Sequence, residues 1–307
     1  MFGATSLVGS HFVANVPAGL TLAAAGRTTP AGRGIGRFDT VDLHDTTAVR
    51  RLVATAPEPV VVNFAARTDV DGIERERPGT SDSDPSGSPA FQVNALAPEA
   101  MARSAGSVGK NLITISTDFV FDGTRGPYDE SQRPDPLGPR VSWYGWTKGE
   151  GERRVRAALP SASIIRISYP YRPPFAGKVD FAGWIRQRAK SGALPPMYTD
   201  QQITPTWIPD VSAAVARLAR EPRGGTYHVA SPTVCSPHSF ATELLAQDTG
   251  VRPQLAEGSL ERRLKEFGVT PRPLRGGLVT GNPPKIGFVS TPWEEGLSSL
   301  VGTTGAT

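Results

Sequence analysis

With 307 residues, 38% of them hydrophobic and 20% charged, the chain can form one large folded unit or two sharing a core, and its composition is not that of a disordered protein. No apolar run approaches the roughly 20 residues that span a bilayer. The net charge of +4 comes from arginines interleaved with Asp and Glu rather than from a basic stripe, so neither a membrane nor a nucleic acid is an expected partner. A lone cysteine, Cys235, excludes an internal disulfide, and the four histidines (His11, His44, His228, His238) have no ligand spacing, so no metal site is expected and the cytoplasm is the expected compartment.

The chain opens on GATSLVG (3–9), whose spaced glycines suit a turn that brings backbone N–H groups and a helix N-terminus against a phosphate. Such a turn normally follows a buried strand, yet only Met1 and Phe2 precede it here. A missing central strand would leave buried neighbours unpaired, so the expectation is a truncated first strand whose true start lies upstream. The stretch VPAGLTLAAAG (16–26) ends in small residues, as a secretory signal does. No basic residue precedes it, however, and His11 and Asn15 break the apolar run.

Four short β-prone runs then read as buried parallel strands: LTLAAA (20–25), PVVVNFAA (59–66), NLITIST (111–117) and SIIRIS (163–168). Between them, DTTAVRRLVATA is introduced by a capping Asp45, and NALAPEAMARSAGSVGK and YGWTKGEGERRVRAAL read as further helices. This alternation predicts an α/β protein with a Rossmann-type doubly wound sheet. Beyond about Tyr169 a Pro-rich loop and short helices at 179–191, 210–220 and 236–247 predict a smaller, interleaved C-terminal domain that binds substrate. The expected division is 1–168 plus about 207–232 for the nucleotide-binding domain, 169–206 plus about 233–301 for the second, and a tail at 302–307. The polar segment 75–89 reads as a mobile insertion, and no internal repeat is present.

Two further motifs carry chemistry. Tyr144 and Lys148 in YGWTK lie four residues apart, on one face of a helix, where an ammonium can lower a phenol's pKa from about 10 and make it a usable proton donor. The alternative for the pair alone is a solvated helix face. In ISTDFVFDG, Ser116 and Thr117 end an apolar strand, where open α/β sheets place their ligands, and NFAART (63–68) ends the previous strand equivalently.

Taken together, a glycine turn, a strand-end Ser/Thr and Tyr-x-x-x-Lys follow the layout of the short-chain dehydrogenases. The blocks VVNFAARTDVDGIERERP, AFQVNALAPEAMA, LITISTDFVFDGTRGPYDESQRPDPLG and YGWTKGEGE closely resemble the dTDP-4-dehydrorhamnose reductase family. DQQITPTWIPDVSAAVARL and GTYHVASPTVCSPHSFA continue that resemblance to about residue 245. It implies an NAD(P)H-dependent oxidoreductase acting on the C4 keto group of a nucleotide-linked 6-deoxysugar. Thr117, Tyr144 and Lys148 would be catalytic: Thr117 on the substrate carbonyl, Tyr144 as proton donor and Lys148 on the nicotinamide ribose. The cofactor would be held by Gly3, Thr5, Ser6, Leu7, Val8, Gly9, Arg27, Asp42, Leu43, Phe64, Ala65, Ala66 and Asn94, together with Tyr144 and Lys148. The substrate would meet Thr68, Asp118, Phe119 and Trp143. Because the strand at 20–25 is followed by Arg27 and no acid, a cofactor with a 2′-phosphate is expected: NADP favoured, NAD possible.

The chain departs from the family at Ser6 in place of the middle glycine, at Phe119 and Arg67 where tyrosines are usual, at the flanking Trp143 and Trp146, and in its loosely matching C-terminal segment. Basic residues between Arg252 and Arg275 could pair with a substrate diphosphate or form an ordinary solvated helix. Two alternatives stand beside the reductase reading. One is a non-catalytic NADP-binding partner resembling the regulatory subunit of methionine adenosyltransferase, and the other a sugar-nucleotide epimerase or dehydratase. Oligomeric state is left open, with a homodimer among the options.

Overall fold

The computed structural model describes residues 1–30, 34–79, 84–175 and 177–301. The tail expected at 302–307 and part of the 75–89 insertion lie outside them. After the glycine turn, helix α1 (Leu7–Ala14) leads to strands β1 (Ala23–Gly26) and β2 (Arg37–Thr40). Helix α2 (Thr46–Thr55) is capped by Asp45, whose carboxylate accepts from the Thr47 and Ala48 amides, and leads to β3 (Val60–Asn63). Next come α3 (Val70–Glu74), α4 (Pro89–Phe91), a π-helical turn at Gln92–Leu96 and α5 (Ala97–Ser107). Strand β4 (Asn111–Thr117), helix α6 (Trp143–Ala158) and strand β5 (Ser163–Ile167) complete the part richest in long apolar runs. The remainder is α7 (Phe181–Lys190), β6 (Met197–Tyr198), α8 (Ile208–Arg220), β7 (Gly225–His228), α9 (Pro237–Thr249), β8 (Glu257–Gly258), α10 (Leu260–Glu266) and α11 (Trp293–Val301).

The strands β3, β4, β5 and β7 pair side by side, all parallel, and β1 pairs with β2 in the same sense. The two groups are joined by Phe2, which bridges Ala25 on one side and Asn63 on the other. The Phe2 amide donates to the Val62 carbonyl at 2.8 Å, and its own carbonyl accepts from Phe64 N at 3.0 Å. On the other edge, Ala25 N donates to the Met1 carbonyl at 2.8 Å, and the Met1 ammonium donates to the Ala23 carbonyl at 2.6 Å. Two residues therefore do the pairing expected of a full central strand, and Val62, Phe64, Ala23 and Ala25 keep backbone partners. The result is one doubly wound parallel sheet in the order β2–β1–Phe2–β3–β4–β5–β7.

The sheet is packed on both faces. One layer brings Val8, Phe12 and the α8 residues Val211, Val215 and Leu218 onto Val62, Ile113 and Ile165. The other brings α2 and α5, through Val49, Val53, Met101 and Ala105, onto Phe2, Val61 and Leu112. A separate cluster holds Tyr171, Ile185, Met197, Ile203, Phe240, Leu244, Trp293 and Leu297, almost all from the segments after β5 and β7. This cluster and the small β6–β8 pair form a second lobe. The lobes meet through Arg172, whose buried guanidinium donates to the Leu7 carbonyl at 3.1 Å and to Ser10 Oγ at 3.0 Å on α1. On the far side, an exposed ion pair links Arg272 to Asp71 of α3 at 2.9 Å. No helix among the described residues is long and apolar enough to cross a membrane.

Phe2 is 4% exposed and is the only side chain the short central segment contributes to the α2/α5 layer. Truncation in Phe2→Ala is expected to cost about 3–5 kcal/mol, read as a fall in the urea midpoint. A loss below about 1 kcal/mol would show that the main-chain pairing alone holds the half-sheets together.

Candidate active site

The turn that follows Phe2 is shaped by close approach. Gly3 has φ of 78°, and a Cβ there would lie 2.5 Å from Ala65 N, while a Cβ on Gly9 would lie 2.1 Å from the Gly3 carbonyl oxygen. Side chains at either position would push α1 away from the end of β3. Ser6, in the middle position, has φ of −71° and strains nothing. Its hydroxyl caps α1 by accepting from Gly9 N at 3.0 Å. The serine thus replaces a backbone-permissive residue with a helix cap, which commonly contributes about 1 kcal/mol.

Two cavities flank this turn at the C-terminal ends of the strands. The outer one, about 410 Å³, is lined by Gly3, Thr5, Ser6, Arg27, Asp42, Leu43, Ala65 and Ala66, together with His44 and Arg67. The inner one, about 330 Å³, is lined by Ser6, Leu7, Val8, Phe64, Ala66, Thr68, Thr117, Asp118, Phe119, Tyr144 and Lys148. Nearly every residue picked out in the sequence lines one chamber or the other. Three do not. Gly9 lies behind the turn, against the Gly3 carbonyl. Asn94, in the π-helical turn, clamps the main chain of Arg67: its Oδ1 accepts from Arg67 N at 2.9 Å, and its Nδ2 donates to Arg67 O at 3.0 Å. Trp143 is 1% exposed, stacks on Trp146 with centroids 4.6 Å apart, and donates its indole N–H to Ser88 Oγ at 3.0 Å. It is a core residue, because one step along a helix turns a side chain about 100° away from its neighbour.

The catalytic candidates converge in the inner chamber. Ser142 caps α6, accepting from Gly145 N at 3.1 Å, and so starts the helix that presents Tyr144 and Lys148 to the end of β4. Thr117 Oγ1 donates to Asp118 Oδ1 at 3.2 Å, and Thr117 and the Tyr144 phenol line the same chamber. Asp118 Oδ2 accepts from Ser168 Oγ at 2.7 Å. Burial pushes the Asp118 carboxyl up to about 6 against these hydrogen bonds. Burial likewise lifts the Tyr144 phenol above its ordinary range, with Thr117 pulling the other way and the Asp118 charge adding to the rise. Lys148 donates to the Ile115 carbonyl at 2.7 Å, and burial pushes its ammonium down to about 8, opposed by Glu152 one turn along α6. Burial, rather than Lys148, therefore sets the phenol's pKa, and Tyr144 keeps its proton through neutral pH. Glu152 itself is locked in a buried bidentate pair with Arg166, at 2.9 and 2.7 Å.

In the outer chamber Asp42 is engaged by His44, through its ring at 2.8 Å and its amide at 3.0 Å, and these bonds hold the carboxyl below its usual range. Arg27 stands exposed beside it on the chamber wall. Sequence reasoning missed the contribution of the segment after β5, which brings Tyr169, Lys178, Asp180 and Phe181 to the inner chamber. Tyr169 carries the one positive φ among the described non-glycine residues, 42°, and its phenol oxygen accepts from Gln201 Nε2 at 2.9 Å. Only the Pro-rich composition of this segment marked it as irregular. Among the described residues, no cluster of His, Cys, Asp and Glu could hold a metal ion.

A doubly wound parallel sheet with a glycine turn at its switch point and a Thr–Tyr–Lys set at the adjoining strand end is the architecture of the short-chain dehydrogenase class. Residues 1–304 match the family described as RmlD substrate binding domain, and the chain belongs to that family. It is 34% identical to the probable low-salt glycan biosynthesis reductase Agl14 of Haloferax volcanii, over 76% of this chain and 73% of that one. It is 36% identical to the dTDP-4-dehydrorhamnose reductase of Streptomyces griseus, over 73% of this chain and 70% of the relative. A dTDP-4-dehydrorhamnose reductase from Bacillus anthracis, solved in complex with NADP, superimposes with a TM-score of 0.75 at 24% identity, covering 99% of this chain and 98% of that one.

Because the Gly3 turn touches the β3 end at van der Waals limits, Gly3→Ala is expected to destabilise the fold by about 1–3 kcal/mol and to weaken nicotinamide-nucleotide binding at least tenfold. Isothermal titration alongside thermal denaturation reads both. Unchanged binding in a destabilised variant would separate the turn from the ligand.

Proposed function

We propose that the chain is an NADPH-dependent reductase of the C4 keto group of a nucleotide-linked 6-deoxysugar. The observation that carries this reading is the convergence of Thr117, Tyr144 and Lys148 on one chamber that meets a second at the glycine turn. The cradle fits a dinucleotide: glycines where a side chain would collide, a helix N-terminus beside them, and a chamber on each side of the turn. Gly3, Thr5, Ser6, Arg27, Asp42, Leu43, Ala65 and Ala66 would hold the adenosine half; Leu7, Val8, Phe64, Tyr144 and Lys148 would hold the nicotinamide half. When bound, the nicotinamide cofactor supplies the hydride that goes to the carbonyl carbon.

The chain's own residues manage the oxygen. Tyr144, a neutral phenol, gives its proton to the oxygen as negative charge develops there. The Thr117 proton, directed at Asp118 in the structure, can rotate to the same oxygen and act as a second donor. Lys148 places a positive charge behind both. Thr68, Asp118 and Phe119 line the substrate side, and the segments 169–206 and about 233–301 form the substrate-binding domain, with 1–168 and about 207–232 forming the nucleotide-binding domain. A complete donor set around a protonated phenol supports turnover over the binding-only alternative.

Tyr144→Phe is expected to lower kcat by about 10²–10⁴ in reduction of a dTDP-linked 4-keto-6-deoxysugar. The wild-type rate should fall as pH rises through about 8, where Lys148 loses its charge. A variant with wild-type kcat would remove Tyr144 from the chemistry, and NADPH binding without turnover of any keto-sugar would favour the non-catalytic partner. For cofactor choice, Arg27→Ala is expected to weaken NADPH about tenfold and NADH hardly at all, measured by nicotinamide fluorescence. Equal effects on both would detach Arg27 from the 2′-phosphate.

A further inference from the structure

The two chambers share three lining residues: Ser6 on the glycine turn, Ala66 just after β3, and Lys178 from the second lobe. Lys178 is exposed, and its ammonium has no ion-pair or hydrogen-bond partner among the described residues. The segment that carries it has a fixed base. Arg172 N donates to Asp180 Oδ2 at 2.8 Å, while Asp180 Oδ1 caps α7 by accepting from Gly183 N at 2.6 Å. The Arg172 guanidinium is in turn bonded to α1, the helix whose N-terminus borders both chambers. A lysine from the opposite lobe thus lines the junction of the two chambers, on a segment whose base at Arg172 is bonded to that same helix.

Resting on the cofactor reading above, a dinucleotide with its adenosine half in one chamber and its nicotinamide half in the other must pass its diphosphate through that junction. The donors of the floor there are neutral: the Ser6 hydroxyl and the main-chain amides at the start of α1, of which the Gly9 amide is already taken up by Ser6 Oγ. The other acids nearby do not compete strongly for a cation. Asp180 is committed to two backbone amides and Asp42 to His44. We propose that Lys178 is a cofactor-binding residue that reaches across the cleft from the second lobe and pairs with the dinucleotide's diphosphate. It supplies the charge that the serine-capped turn does not, and it makes the second lobe part of the cofactor site.

The test is titration of the full chain and of its Lys178→Gln and Lys178→Arg variants with NADPH and with NADH, at low and at high salt, followed by nicotinamide fluorescence. Lys178→Gln should weaken both nucleotides by about five- to twentyfold, Lys178→Arg should restore most of the loss, and the gap should narrow as salt screens the pair. Because the side chain is exposed, thermal midpoints of the three proteins should agree. Wild-type affinity for both nucleotides in Lys178→Gln would overturn the proposal. A loss confined to NADPH would do so too, by moving the contact to the 2′-phosphate. Unchanged cofactor affinity with a raised KM for the nucleotide-sugar would assign the lysine to the substrate instead. A wild-type chain that binds neither nucleotide would overturn the cofactor reading itself.

Discussion

The architecture depends on the backbone of two residues. Met1 and Phe2 supply hydrogen bonds to β1 on one side and β3 on the other, and without them the molecule has two separate β-sheets rather than one. A buried strand edge left unpaired is costly, since each orphaned amide or carbonyl loses its water without replacement. The same pairing sets the geometry of the cleft. It ends at Phe2, so Gly3 is delivered straight to the carboxyl end of β3, within contact of Ala65, and α1 begins at a fixed height above the sheet. Cradle, helix and strand ends are consequences of one short ladder.

The chemistry on that scaffold is governed by burial more than by pairing. Asp118, Tyr144 and Lys148 are all driven toward their neutral forms by desolvation, the carboxyl and phenol upward and the ammonium downward. The three shifts act together. A protonated phenol, a lysine whose charge is lost just above neutrality and a carboxylate that accepts from Thr117 and Ser168 form a set in which small changes of charge are strongly felt. The Glu152–Arg166 pair beneath Lys148 is hydrogen-bonded within itself, so it anchors α6 while Glu152 only partly offsets the cost of burying the lysine's charge.

Much of this was legible in the sequence wherever a local signal and a tertiary role coincide. NLITIST is β4 to the residue, because an apolar run buried on both faces and ended by hydroxyl residues leaves little freedom of register. Asp45 caps its helix as its residue type suggests. Strand β2 escaped notice because Arg37–Thr40 lies at an edge, half-exposed and carrying two charges. β7 is a four-residue strand of mixed polarity, equally faint. Trp143 was placed in the site by its adjacency to Tyr144, which in a helix means facing elsewhere. Asn94 was assigned to the cleft, whereas its side chain spends its hydrogen bonds holding a neighbouring loop. The residues after β5 that close the inner chamber carried no signal beyond a Pro-rich composition, since their positions depend on where a second lobe docks.

The two lobe contacts described above are unequal in kind. Arg172 is buried, and its guanidinium is bonded to main chain and side chain of α1, whereas Arg272 meets Asp71 at the surface, where water and salt compete for both partners. Exposed pairs of the second type typically contribute no more than about 1 kcal/mol. Of these two contacts, the one at α1 therefore resists separation more than the one at α3. The stronger contact lies beside the glycine turn, so the cradle is the part of the cleft that salt affects least, and the pair at Asp71 and Arg272 is the one it loosens.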